Sequence, residues 1–344
     1  MRVAFPRRII DTHVGGNTTY TRALEAGLRA RGIETARIAS GRNAPHTALL
    51  ETLQGMRVQS SNTILHYTAD TGPIFSTRGP SVVTVHGVAS RWISTARTWT
   101  QENIWRARVA RAIKSTDRII TVSESSAHDV SAVFNLALED IAVIPHGIDF
   151  QMFRAKTDLS DTLAHRLRDV EFALYIGNIE PRKNLDALID AVEDEAALPC
   201  GMKLVIAGRP AWNFEETMRR IEHGKNVIYL GFVSDADRVA LLQQCSIFVF
   251  PSLYEGFGFP VLEAMAAGAP VACSTRGSLK DLAGPARRFE ELDSSGIARG
   301  LSEFIGDISW RARATIDGPK WAQRFDWSES VEKHTALYKE LVSQ

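Results

Sequence analysis

The sequence is organised around residues 248–270, which read FVFPSLYEGFGFPVLEAMAAGAP. The stretch opens with an apolar run of the length of a buried strand and then passes through a loop that contains Gly256 and Gly258. A run of helix formers follows from Pro260, and the first turn of a helix tolerates proline. Gly268 is placed to end that helix. The stretch therefore predicts a strand, a glycine loop and a helix in succession.

The predicted loop and helix start form an anion-binding arrangement with an acid on each side. The first amides of a helix have no partner within it, and the helix dipole adds partial positive charge there. Glu255 precedes the loop and Glu263 lies just inside the helix. Ionised carboxylates accept hydrogen bonds from vicinal hydroxyls. The chemistry suggests a nucleotide-sugar, with phosphate between two hydroxyl-rich rings. For Glu263, simple compensation of the helix dipole remains an alternative.

Glu255, Glu263 and the residues between them resemble the two-glutamate motif of the retaining family 4 glycosyltransferases. The resemblance implies an α/β fold of the GT-B type, with two Rossmann-like domains facing across a cleft. It implies that Glu255 holds hydroxyls of the donor sugar and Glu263 those of the ribose. The backbone expected to face the donor diphosphate is that of Gly256, Phe257, Gly258 and Phe259.

The composition is that of a globular protein with room for two domains. The chain has 344 residues and a formal net charge of zero, so its overall charge does not indicate nucleic acid binding. Residues 1–150 are basic, with 17 Lys+Arg against 12 Asp+Glu. The three cysteines have no metal-site or redox spacing, and the chain begins without an apolar core of signal-peptide length. These features predict a cytoplasmic protein with buried thiols at Cys245 and Cys273.

Short apolar runs alternate with helical patterns in the first half, which predicts parallel βαβ units. Strands are expected at Arg2–Phe5, Ile33–Ala39, Thr63–Tyr67, Val82–His86, Arg118–Val122 and Ile141–Ile144, with a helix over Asn17–Arg31. The domains are predicted as residues 1–150 for the acceptor and 151–325 for the nucleotide-sugar. Residues 326–344 are expected to form a helix that crosses back to the first domain.

Two motifs of the first half resemble family loops at strand ends. Gly15 and Gly16 precede the first long helix and resemble the glycine loop that faces the donor phosphate and the acceptor. His86 follows an apolar strand, and the resemblance implies contact with the donor sugar. A hydrogen-bonded surface histidine is the alternative. The Gly-x-Gly-x-x-Gly fingerprint of dinucleotide binding is absent around Gly15, which disfavours a dehydrogenase.

The second half contributes two more predicted contacts with the donor. A strand at 172–177 leads into Asn-Ile-Glu-Pro-Arg-Lys-Asn, which resembles the family segment whose Arg and Lys clamp the diphosphate. The usual arginine position holds Asn178, so Arg182 is the substitute and Lys183 the second cation. The resemblance also implies that the backbone near Phe232 and Val233 holds the nucleotide base.

Residues 91–118 combine basic side chains with tryptophans at 92, 99 and 105. Such a composition suits an anionic membrane surface or a lipid-diphosphate acceptor. The alternative is a solvated helix whose tryptophans pack inward. Peripheral contact with the inner face of a membrane is therefore a hypothesis.

The resulting prediction is a retaining hexosyltransferase that needs neither a metal nor a cofactor. Its donor is a GDP- or UDP-sugar, with a weak preference for mannosyl, and its acceptor is a sugar or lipid-linked hydroxyl in polysaccharide or glycolipid assembly. Two alternatives remain. A nucleotide-sugar 2-epimerase has the same architecture, and a non-catalytic sensor would bind the donor without releasing the nucleoside diphosphate.

Overall fold

The computed structural model describes residues 1–12, 15–93 and 99–343, which form two compact units. The first unit comprises Met1–Gly147 and Phe325–Gln344, and the second comprises Ile148–Arg324. The predicted domain boundaries at residues 150 and 325 lie close to these divisions, and the C-terminal helix is part of the first unit. Arg97 of the basic segment and Gln344 of the predicted C-terminal helix lie outside the described residues.

The first unit contains a parallel sheet whose six predicted strands are confirmed, with small shifts at their ends. The strands are β1 (Arg2–Pro6), β2 (Glu34–Ile38), β3 (Thr63–Tyr67), β4 (Ser81–Thr84), β5 (Arg118–Thr121) and β6 (Ile141–Val143). Their order is β2-β1-β3-β4-β5-β6. The helices along the chain are α1 (Arg7–Asp11), α2 (Gly16–Ala30), α3 (Ala44–Met56), α4 (Trp99–Ser115) and α5 (Glu124–Phe134).

The second unit contains another six-stranded parallel sheet. Its strands are β7 (Phe172–Ile176), β8 (Lys203–Ala207), β9 (Val227–Gly231), β10 (Ile247–Phe250), β11 (Val271–Cys273) and β12 (Arg287–Arg288), in the order β12-β11-β10-β7-β8-β9. Its helices are α6 (Phe150–Arg154), α7 (Asp161–Arg166), α8 (Leu185–Glu193), α9 (Glu215–His223), α10 (Asp235–Gln244), α11 (Phe259–Ala267), α12 (Leu279–Leu282), α13 (Ser294–Gly306) and α14 (Ile308–Ala322). The last helix, α15 (Trp327–Ser343), returns to the first unit.

Residues 248–270 fold as predicted, as a strand, a glycine loop and a helix. Phe248 pairs with Leu174 of β7 on one side and with Val271 of β11 on the other, so β10 lies inside its sheet. Helix α11 follows the glycine loop, and Gly268 ends it in the left-handed conformation with φ +88°. The thiols of Cys245 and Cys273 are buried, as predicted. Among the described helices, none combines the length and apolar content needed to span a membrane.

Both faces of the first sheet are covered, as a parallel sheet requires. Helices α2 and α15 cover one face, and α4 and α5 cover the other. A buried chain of hydrogen bonds ties α15 to the sheet. The Tyr338 hydroxyl lies 2.6 Å from His66 Nδ1, and His66 Nε2 lies 2.7 Å from the Thr84 hydroxyl. The Tyr20 hydroxyl lies 3.1 Å from that of Thr84 and 2.8 Å from His334 Nε2.

Candidate active site

The order of the second sheet reverses between β7 and β10, and this reversal assembles the candidate site. From β7 the chain continues to β8 on one side, whereas β10 lies on the other side. The loops that leave two such strands diverge and leave a crevice at the carboxyl edge of the sheet. Arg182 and Lys183 lie on the loop after β7, and Glu255 lies on the loop after β10. The amide of Leu253 donates to the Arg182 carbonyl at 2.9 Å and joins the two loops.

Four ionisable side chains form what we call the ion cluster: Glu180, Arg182, Lys183 and Glu255. Arg182 Nη1 donates to Glu255 Oε2 at 2.8 Å, and Lys183 Nζ donates to Glu255 Oε1 at 2.6 Å. On its other side, Arg182 donates from Nε and Nη2 to Glu180 Oε1, at 3.0 and 2.5 Å. Both carboxylates and Lys183 are buried. Two cations are therefore held against two carboxylates, with no net charge.

The ion cluster fixes the charge states of its members. Burial alone would raise the pKa of Glu255, but Arg182 and Lys183 outweigh burial and lower this pKa to about 2. The pKa of Arg182 is raised, because Glu255 and Glu180 outweigh the opposing effect of burial. Burial and the nearby Arg182 lower the pKa of Lys183. Glu255 is consequently ionised at physiological pH and is a weak base, suited to accept hydrogen bonds rather than protons.

Gly277 lies in close contact with the backbone of Glu255. It has φ +61°, a conformation that favours glycine, and an added Cβ would collide with the Glu255 carbonyl oxygen. The amide of Ser278 donates to the same carbonyl at 2.9 Å, and the Ser278 hydroxyl donates to the Phe257 carbonyl at 2.5 Å. Through these two hydrogen bonds, the turn before α12 fixes the backbone of the glycine loop.

Replacing Gly277 with alanine should destabilise the second unit by about 1–3 kcal/mol and should lower activity by displacing Glu255. The matched control is Gly201→Ala, because Gly201 also has positive φ, at +87°, but has open space around its missing Cβ. The measurement is urea unfolding of both variants. Equal losses of stability would show that backbone strain alone, and not the collision with Glu255, accounts for the effect.

Glu263, in α11, has an arginine partner that the sequence did not reveal. Arg238 Nη1, on α10, donates to both oxygens of Glu263 at 3.0 and 2.9 Å, and its guanidinium also pairs with Asp235 at 3.2 Å. Glu263 is buried, and burial raises its pKa despite the opposing charge of Arg238. The pair rests on Phe153, whose ring centroid is 5.2 Å from the guanidinium carbon. Glu263 lies in the second turn of α11, beyond the first turn, where compensation of the helix dipole is strongest.

The other residues predicted to contact the donor are placed as follows. Gly258 has φ +101° and precedes α11, and an added Cβ would lie 2.6 Å from Leu279 Cδ2. The Phe257 and Phe259 rings meet edge-on at 5.1 Å, on either side of Gly258. Phe232 is exposed and Val233 is partly buried.

The side chain of Arg209 stacks on the ring of Phe232. The guanidinium carbon of Arg209 lies 3.9 Å from the centroid of the Phe232 ring. This flat, exposed pair follows β8 and β9, on the far side of β7 from Glu255. A planar cation over an aromatic ring is a surface on which a further planar group can stack.

Gly15, Gly16 and His86 belong to the first unit, and their contact with the donor stays a prediction. Gly15 has φ +57° and precedes α2, whose first residue is Gly16. His86 Nε2 donates to the Thr68 carbonyl at 2.9 Å, and its backbone amide donates to Asp70 Oδ1 at 2.8 Å. The histidine ring is therefore held in one orientation.

Two sequence models match the chain, one in each half. The model for glycosyl transferases group 1 matches residues 164–318, and that for Glycosyltransferase Family 4 matches residues 58–151. The chain belongs to this family of glycosyltransferases. Both the ion cluster and the Arg238–Glu263 pair lie within the part that matches glycosyl transferases group 1.

Similar proteins support the family assignment and the fold. O-antigen chain mannosyltransferase B of Escherichia coli is 32% identical over 240 residues, which are 67% of this chain and 62% of that protein. MMP alpha-(1->4)-mannosyltransferase of Mycolicibacterium hassiacum is 27% identical over 77% of this chain and 66% of its own length. The present chain thus matches less than two thirds of the length of either relative. Sucrose-phosphate synthase from Thermosynechococcus elongatus matches with TM-score 0.79 at 18% identity, covering 100% and 99% of the two chains. The predicted α/β fold of the GT-B type is confirmed.

Within the described part of this glycosyltransferase-family chain, no group of three or more His, Cys, Asp or Glu side chains is arranged to hold a metal ion. In the ion cluster, Arg182 and Lys183 each donate to one oxygen of Glu255.

Proposed function

We propose that this protein transfers a hexosyl group from a nucleoside-diphosphate sugar to an acceptor hydroxyl, with retention at the anomeric carbon. The observation that carries the proposal is the pairing of Arg182 and Lys183 with Glu255 at the switch point of the second sheet. The two cations would meet the charge that grows on the leaving diphosphate, which is the role of preorganised electrostatics. No side chain is assigned as a general base, and the leaving phosphate would take that part.

Glu255 can serve the cations and the donor sugar at the same time. A carboxylate offers about four lone-pair positions. Each oxygen of Glu255 accepts from one cation and keeps a second position that a sugar hydroxyl could fill. Glu263 is arranged in the same way, with Arg238 on both oxygens and further lone pairs for the ribose hydroxyls. We assign the nucleotide base to the region of Arg209, Phe232 and Val233.

The donor is proposed to be GDP-mannose or a related sugar nucleotide. The two curated relatives described above are named as mannosyltransferases, and one is named for the O-antigen chain. We propose that the reaction belongs to surface polysaccharide or glycolipid assembly. A UDP-sugar remains in the test, because a structural neighbour with the same fold, HepE of Anabaena, is described in complex with UDP and glucose.

A donor screen followed by product analysis tests the function. A nucleotide at about 100 times its Kd should stabilise the protein by about 2.7 kcal/mol, so the matching base stands out in a thermal-shift series of GDP-, UDP- and ADP-sugars. With the selected donor, release of nucleoside diphosphate should depend on an added acceptor, and the product should keep the donor's anomeric configuration. Conversion of the donor without acceptor would identify an epimerase, and binding without release would identify a sensor.

Activity should persist in excess chelator, because Arg182 and Lys183 take the place of a divalent ion at the diphosphate. The measurement is the release of nucleoside diphosphate with and without chelator, followed by addition of Mg²⁺ and Mn²⁺. An absolute requirement for either ion would contradict the cationic clamp.

A further inference from the structure

The first unit exposes a cluster of large apolar side chains that the proposed function does not use. On α3, Leu49, Leu53 and Met56 recur at helical spacing and are 54%, 49% and 42% exposed. The cluster is completed by Val58, Ile74 and Phe75, of which Val58 is 81% and Phe75 60% exposed. We call these six side chains the apolar strip. Exposed large apolar side chains that are grouped in this way usually mark an interaction site.

Hydrogen bonds join α3 to the connection that contains Ile74 and Phe75. The connection from β3 to β4 contains no helix and runs beside α3 instead. The Ile74 amide donates to the Thr52 hydroxyl, and the Arg78 amide donates to the Gly55 carbonyl, both at 2.9 Å. The Thr77 amide donates to the carbonyl of Ser115, at the end of α4, at 3.1 Å. The connection therefore fills the space between α3 and the end of α4.

The border of the apolar strip is mainly basic. Exposed cations stand at Arg57 and Arg78 beside the end of α3, and at Arg111 and Lys114 on the exposed side of α4. The only acid between residues 42 and 58 is Glu51, which is buried. Asp117, after α4, is an exposed acid beside these cations, so the border is mainly basic. Exposed apolar side chains with a mainly basic border are typical of surfaces that meet the anionic face of a membrane.

We propose that the apolar strip and its basic border dock this protein onto an anionic lipid membrane. The strip enters the headgroup region, and the border cations remain among the lipid phosphates. The proposed contact centres on α3 and Phe75, and the contact predicted for residues 91–118 stays a hypothesis. Trp105 of α4 packs against Phe134, whereas Trp99 and Ile104 of the same helix are 81% and 58% exposed. Docking does not depend on the proposed transfer reaction.

Cosedimentation with vesicles tests the docking surface without any donor. The probe is phosphatidylcholine with about a third phosphatidylglycerol, compared with phosphatidylcholine alone. The double variant Leu53→Glu, Phe75→Glu should bind the anionic vesicles at least about tenfold more weakly. The matched control is Ile308→Glu, Ile316→Glu, which places the same charges at two exposed isoleucines of the second unit and should bind like the wild type.

The basic border has its own variant, Arg111→Glu, Lys114→Glu. It should also bind at least about tenfold more weakly, with a flatter dependence on salt. All substituted side chains are exposed, and circular dichroism confirms that each variant is folded. Undiminished binding by the strip variant would overturn the proposal. So would a wild-type dimer in sedimentation velocity that the strip variant loses, if neither protein binds vesicles, because the strip would then be a contact between two copies of the chain.

Discussion

Replacing Glu255 with glutamine should tighten the binding of free nucleoside diphosphate by roughly tenfold, while kcat/KM falls by about ten- to more than a hundredfold. The two effects have opposite signs because Glu255 has two tasks. In the wild-type protein it balances Arg182 and Lys183. Without its charge, the buried cluster has a net positive charge and attracts a diphosphate more strongly. The same substitution weakens the hydrogen bonds that residue 255 accepts from the donor-sugar hydroxyls in the transition state.

Lys183→Ala is the companion variant and should weaken both diphosphate binding and turnover by about ten- to more than a hundredfold. Lys225→Ala, which removes an exposed lysine of the same unit, is the control for the loss of one positive charge. Calorimetry with the diphosphate and steady-state kinetics give the two quantities. If Glu255→Gln and Lys183→Ala both kept wild-type turnover, the site would be wrong. If Glu255→Gln weakened diphosphate binding as much as Lys183→Ala, Glu255 would not be the group that restrains the cations.

The sequence predicted the centre of the candidate site because its residues lie on two short, recognisable segments. Arg182 and Lys183 follow one strand, and Glu255 follows another. Parallel strands place such loops at one edge of a sheet. The family resemblance indicated which loops belong together. Arg182 stays the predicted substitute for the usual arginine, whose position holds Asn178, and in the structure Arg182 contacts Glu255 directly.

The charge partners of the site could not be predicted, since they depend on contacts between separate elements. Glu180 lies within the quoted segment, but only the fold turns it towards Arg182. Arg238 is on α10, and its pairing with Glu263 requires α10 and α11 to be neighbours. One signal existed, because a buried carboxylate needs a partner and Arg238 lies in the first turn of α10, where a cation is unfavourable for the helix dipole.

The same limit applies to the first unit. Its strands are confirmed because each is a short apolar run, but α3 carries its apolar residues outward as well as inward. Periodicity alone does not separate a core face from an exposed one. The hydrogen-bonded chain from Tyr20 to Tyr338 was also beyond the sequence, because it joins α2, two strands and α15. No spacing rule connects residues that are so far apart along the chain.

The directions of the hydrogen bonds between Tyr20 and Tyr338 follow from the one backbone carbonyl that takes part in this network. His334 Nδ1 must donate to the backbone carbonyl of Ser330, at 2.7 Å, because a carbonyl only accepts. Burial lowers the pKa of His334 to about 4, so its ring is neutral at pH 7 and Nε2 accepts from the Tyr20 hydroxyl, which in turn accepts from Thr84. His66 then donates from Nε2 to Thr84 and accepts at Nδ1 from Tyr338. Both imidazoles are neutral in this arrangement, and an added proton would break the chain.

Stability of the first unit should consequently fall as the pH drops from about 6.5 towards about 4. Burial lowers the pKa of His334 from 6.5 to about 4 and also lowers the pKa values of His66 and His146. Below pH 6.5 the histidines of the unfolded chain bind protons, whereas the buried histidines of the folded unit stay neutral. Acid therefore favours unfolding. A shift of this size at His334 alone corresponds to roughly 3 kcal/mol, at about 1.36 kcal/mol for each pH unit.

Hydrogen exchange of the β3 and α15 amides at several pH values follows the first unit separately, because a two-unit protein need not unfold in one step. His334→Asn should show a shallower loss of stability with acid, by up to about 1.4 kcal/mol per pH unit within this window. His165→Asn, at an exposed histidine of the second unit, should retain the wild-type slope. An unchanged slope in His334→Asn would mean that the buried histidine is not what makes the unit sensitive to acid. Since α15 holds two members of the chain, His334 and Tyr338, acid should loosen this helix before the strands of the sheet separate.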